Sequence, residues 1–163
     1  MATGTIAIRY AGRLGLEELP DRRRRLVNAL GIHVQMRGKA QAVQAGRLNA
    51  AVGQETVHII PVGDAVFALR EHIANGTAPG LTQQTDLFRD PIGHPREPLA
   101  ALVCYCHLAA ITGRSPVGLP VPAELQKLPH AAELNALLEQ LAWDAVSAYP
   151  LSGVKPVAEG VKQ

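Results

Sequence analysis

Between Pro98 and Ile111 the chain reads PLAALVCYCHLAAI, an almost unbroken apolar run interrupted by His107. A helix with so little polar surface must be covered by other parts of the chain. The run is about 14 residues long, well short of the ~20 needed to cross a bilayer, so it reads as a buried helix. Pro98 suits a first helical turn, where its missing N–H removes no bond, and the helix is expected to run to Thr112 with Gly113 just beyond its end.

The covering layers must come from a chain of 163 residues, the length of one ordinary domain, and a single domain over 1–163 is expected, with a loose tail from Leu151. Apolar residues make up 47%, charged residues 18%, and the net charge is +2, a globular balance that gives no reason to expect nucleic acid as a partner. Aromatics are only 4%, so the core is expected to be small and aliphatic, packed between helices and a sheet. The opening MATGTIAIRY lacks the order of an export signal. Cys104 and Cys106, the two cysteines, would leave a helix on opposite sides and cannot bridge each other there. A cytoplasmic, reduced setting is expected, with no membrane association.

Thr5 to Tyr10 alternates apolar and polar residues like a half-buried strand. From Asp21 to Val52 the residues Leu26, Val27, Leu30, Val34, Val43, Leu48 and Val52 recur near helical spacing, giving one long or two shorter amphipathic helices that end at Gly53. Thr56 to Ile60 (TVHII) is β-rich and closed by Pro61 and Gly63, as a buried parallel strand would be. Asp64 is placed to cap a helix from Ala65 to Ala74, and Asn75-Gly76 to stop it. Leu81 to Pro95 reads as an irregular loop, and Glu133 to Tyr149 as an amphipathic helix carrying Leu134, Leu137, Leu138, Leu141, Ala145 and Val146, stopped by Pro150. Helix, strand, helix is the order of a parallel α/β unit, and α/β is the fold class expected.

Two residues in the loop have the types that acid–base chemistry needs. Asp90 can accept the proton on one imidazole nitrogen of His94 and so set the tautomer in which the other nitrogen deprotonates a hydroxyl. The plainer reading is that Asp90 caps the turn Pro91–Gly93 and His94 is a surface residue. Other clusters read as structural. Arg22 to Arg25 is a solvated helix face, and the run from Cys104 to His107 is packed core, because only Cys104 and His107 share a helical face and two ligands are too few for zinc. No cofactor or metal is expected.

The order HIIPVGDA (His58 to Ala65), FALREHIANG (Phe67 to Gly76), then PG, LF, Asp90, His94-Pro95, a small-residue helix with a tyrosine, and GRSPVGLP (Gly113 to Pro120) resembles the closing region of SGNH (GDSL-type) hydrolases over roughly residues 55 to 120. The resemblance implies a three-layer α/β/α domain with a short parallel sheet of the SGNH or flavodoxin type, His94 as general base and Asp90 as its orienting carboxylate. The family spacing is Asp-x-x-His, whereas this chain has Asp90-x-x-x-His94, a loop longer by one residue. Neither a Gly-Asp-Ser block nor a Gly-x-Asn-Asp block is present, and the serines are Ser115, Ser147 and Ser152, all beyond His94.

The leading expectation is therefore the C-terminal segment of a serine ester hydrolase, acting on a small-molecule ester if active but inert alone, because base and nucleophile work as a unit. The alternative is a non-catalytic α/β domain that acts in assembly or binding. The two readable strands imply an incomplete sheet with a free edge, through which the chain is expected to self-associate.

Overall fold

A computed structural model describes residues 40–154, and among these the secondary structure is helical. Helix α1 occupies 40–52, α2 Val62–Ala74, α3 Glu97–Thr112 and α4 Ala131–Ala148. Single 3-10 turns, Gln84–Leu87 and Leu125–Lys127, lie in the connections before and after α3.

The boundaries follow from local chemistry. Helix α2 starts at Val62, directly after Pro61, so Asp64 sits in the first turn rather than at the cap, where its charge still complements the helix dipole. The Asn75 N–H closes on the Glu71 carbonyl, and Gly76 turns the chain away at φ +70°. Pro98 lies in the first turn of α3, and Gly113 ends that helix in the left-handed conformation, its N–H bonded to Ala109 O at 2.9 Å. The core forms where α2, α3 and α4 meet: Val66 and Leu69 from α2, Leu102 and Cys106 from α3, Leu134, Leu138 and Val146 from α4, closed by Leu87 and Leu125 from the 3-10 turns. Each such leucine contributes roughly 1.5–3 kcal/mol by leaving water.

The expected three-layer α/β/α fold with a parallel sheet is not what forms. Among the described residues there is no β-strand, and the one isolated bridge pairs Phe88 with Pro95. Thr56 to Ile60 is extended, but its polar groups are satisfied by other means than a sheet. The Asn49 carboxamide accepts the N–H of Thr56 at 3.0 Å and of Val57 at 2.8 Å, and donates to the Val57 carbonyl at 2.9 Å. Ile59 N–H reaches the Leu151 carbonyl at 2.8 Å. One side chain thus does for Thr56 and Val57 what a neighbouring strand does in a ladder. Self-association through a free sheet edge has no such edge to act through among these residues.

Two expectations about coverage also change. Helix α3 is covered on one side only: Leu99, Leu102, Cys106 and Ala109 are buried, while Cys104, Leu108 and Ile111, spaced i, i+4, i+7, form an outward stripe with Ile111 77% exposed. In α1, Val43, Leu48 and Val52 are exposed and Ala45 is buried. Helical spacing shows which side chains share a face, not what lies against it. The expected strand Thr5 to Tyr10, the run Arg22 to Arg25 and the helix before residue 40 lie outside the described residues. At the other end, Ser152 and Val154 are buried against the domain. No described helix is long and apolar enough to cross a membrane.

Candidate functional site

The segment from Phe88 to Pro95 folds back on itself between the first 3-10 turn and α3. Arg89 N–H bonds to His94 O at 2.8 Å, and Arg96 N–H to Leu87 O at 2.9 Å, so the two ends run side by side. At the tip, Gly93 N–H meets Asp90 O at 3.2 Å, with Gly93 at φ +93°, a conformation that suits glycine. The structure brings Asp90 and His94 together across this tip. Asp90 Oδ1 accepts the His94 backbone N–H at 3.1 Å, and Oδ2 accepts a hydrogen bond from the ring at Nδ1. That ring bond holds the Asp90 carboxyl below its ordinary pKa, against a smaller opposing effect of desolvation.

With Nδ1 engaged, the His94 ring presents Nε2 to solvent, and its side chain is 58% exposed. This is the orientation a general base needs. Among the described residues the other half of such a site is not assembled around it. Ser115 Oγ accepts the Val117 N–H, Ser152 is buried and its Oγ accepts the Val154 N–H, and Ser147 lies half-buried in the last turn of α4. The first two are turn-forming hydroxyls. None of the three is bonded to His94.

The run from Cys104 to His107 splits between inside and outside. Tyr105 and Cys106 are buried, whereas Cys104 and His107 are exposed, with His107 Nδ1 turned back to the Val103 carbonyl. Burial pushes the Cys106 thiol up to about 12. Among the described residues no three His, Cys, Asp or Glu side chains gather as metal ligands.

A buried polar chain, unread in the sequence, crosses from α3 to α4. Tyr105 donates its hydroxyl proton to Asn135 Oδ1 at 2.6 Å, and Asn135 Nδ2 donates to Glu139 Oε1 at 2.7 Å. Glu139 Oε2 accepts the Gly118 N–H at 2.9 Å, which pins the loop between the two helices. Asn135 and Glu139 are 3% and 2% exposed, so the carboxylate is held by hydrogen bonds rather than by water. Burial first, then the nearby Glu139 carboxylate, pushes the Tyr105 phenol up to about 12. The sequence signal was present: a polar pair at i, i+4 lies beside the leucine stripe of α4.

Compared with known proteins, the chain matches no family model, no curated protein and no solved structure.

Proposed function

We propose that this chain is a non-catalytic helical module that acts by binding, and that Asp90 and His94 close one of its surface loops. The observation that supports this most is the double use of one carboxylate. Asp90 holds both the backbone N–H and the ring of His94, and Gly93 bonds back to the Asp90 carbonyl, so the pair completes the turn that joins the 3-10 segment to α3. Exposed apolar side chains, with Val52 at 58% and Ile111 at 77%, supply surface for contact with another molecule.

The test uses the full chain with p-nitrophenyl acetate, a short activated ester. No turnover above buffer is expected, and His94→Ala is expected to leave that background unchanged while loosening the loop. Turnover that disappears in His94→Ala overturns the reading.

A second reading has one observation in its favour, the unengaged Nε2 of an exposed, carboxylate-oriented imidazole. In it, the pair is the base half of an ester-cleaving site whose nucleophile belongs to another polypeptide. It predicts that His94 Nε2 is methylated or acylated faster than in His94-containing peptides of the same loop, because Asp90 keeps the proton on Nδ1.

A further inference from the structure

A groove of about 310 Å³ opens beside the first two turns of α3, walled on one side by Arg89 and Arg96 and on the other by the turn around Glu124 and Leu125. Its floor is α3, where Ala100 and Ala101 leave room that larger side chains would fill. The volume lies at the small end of the roughly 300–1,000 Å³ of small-molecule sites, which combine an apolar surface with a few placed polar groups.

The two arginines are set in advance. Arg96 Nε donates to the Phe88 carbonyl at 2.8 Å, and Arg89 Nη2 donates to the Pro95 carbonyl at 3.3 Å. Phe88 and Pro95 are the two residues of the antiparallel bridge, so both side chains are tethered to the same closed loop. Among the described residues neither guanidinium makes a further hydrogen bond. No described carboxylate lies within ion-pair distance of either, although Glu97 and Glu124 also line the groove. A planar fork with free donors and no carboxylate partner is suited to an anion, and carboxylates match it in two-point geometry.

The apolar floor selects among anions: inorganic phosphate has no apolar group to set against Ala100 and Ala101, and with Glu97 and Glu124 as the other charged lining a second carboxylate on the ligand would find no cation. A monocarboxylate with a short apolar body places its charge on the arginines and its body along Ala100 and Ala101. We propose that this groove binds a small monocarboxylate through Arg89 and Arg96. The site uses neither Asp90 nor His94, so it stands whether or not that pair takes part in a reaction.

The test is an NMR titration of the ¹⁵N-labelled full chain with phenylacetate, with benzyl alcohol and inorganic phosphate as comparison ligands. Phenylacetate is expected to give saturable shifts at the Ala100 and Ala101 amides and the Arg89 and Arg96 Nε–H groups, with a dissociation constant of roughly 1 mM or tighter. The double variant Arg89→Gln, Arg96→Gln is expected to weaken it about tenfold or more, since each lost bond is to a charged group. Ala100→Trp fills the groove from an exposed position and is expected to abolish the shifts with an unchanged far-UV spectrum. If the double glutamine variant fails to fold, the Ala100→Trp result decides. Absence of saturable shifts, shifts that survive the variants, or equal binding of benzyl alcohol or phosphate overturns the proposal.

Discussion

Tyr105 and Asn135 meet at 2.6 Å in the seam between α3 and α4, and through Asn135 the bond reaches the carboxylate of Glu139. Removing the phenolic oxygen leaves a buried carboxamide oxygen without its donor. Tyr105→Phe is expected to lower stability by about 1–3 kcal/mol, read from the urea midpoint. Glu139→Gln is expected to cost at least as much. A glutamine has one acceptor oxygen where Asn135 and Gly118 each require one, and its amide end faces a donor.

The same two residues on α3 and α4 lie among side chains whose burial differs sharply, and this separates packing from surface effects. Leu138 is fully buried, so Leu138→Ala is expected to cost about 2–5 kcal/mol in thermal or chemical unfolding. Ile111→Ser, at a site 77% exposed, is expected to stay within about 0.5 kcal/mol.

Gly80 has a positive φ of +70°, and a Cβ built there falls 2.6 Å from the backbone oxygen of Pro129. A carbonyl oxygen cannot swing aside as a side-chain tip can. Gly80→Ala is therefore expected to force apart the loop after α2 and the entry to α4. Gly76 has the same φ of +70° but open space around its Cβ position, so Gly76→Asn, which tolerates left-handed backbone, is expected to be nearly neutral. Similar melting temperatures for the two variants would contradict the close approach.

Asp90 sets the acid behaviour of the loop. Its folded pKa lies below the ordinary 3.8, so what the Asp90 carboxylate contributes to closing the loop is whole above that value and is lost as pH falls through the lower, folded pKa. The Asp90 carboxyl, followed by its side-chain ¹³C shift, is expected to titrate below 3.8. Asp90→Asn is expected to remove that acid transition.

At the alkaline end the sign reverses. Cys106 and Tyr105 are both pushed up to about 12, from 9.0 and 10.0, so the unfolded chain gives up these protons first. Their contribution is whole below pH 9 and falls as pH rises toward 12. Unfolding midpoints measured from pH 8 upward are expected to drop, and the drop is expected to shrink in a Cys106→Ala, Tyr105→Phe double variant relative to its own value at pH 8.

Helix ends were legible because their signals are local: Pro98, Gly113, Asn75-Gly76 and Pro150 act within a turn or two of where they stand. The extended run Thr56 to Ile60 misled because β-branched residues report backbone preference, while the partner that decides between strand and coil is distant. Here that partner is the Asn49 carboxamide together with the Leu151 carbonyl. At the candidate site, the Asp90–His94 contact was readable from its short spacing in a loop broken by Pro91 and Gly93. The bond from Tyr105 to Asn135 was not, since 30 residues separate them and only the approach of α3 to α4 makes it. The exposure of Cys104 went unread because an apolar run does not say which of its faces will be covered.

The core closes only when α4 is in place, and this bears on how the protein is made. A ribosome delivers α2 and α3 ahead of Gly113 to Ala148, and at about 5–20 residues per second that lag lasts a few seconds. During it, Leu99, Leu102 and Cys106 lack the leucines that later shield them, on a helix whose opposite side carries Leu108 and Ile111. The nascent chain therefore passes through a window in which α3 is sticky on two sides, and chaperone demand during synthesis should concentrate there.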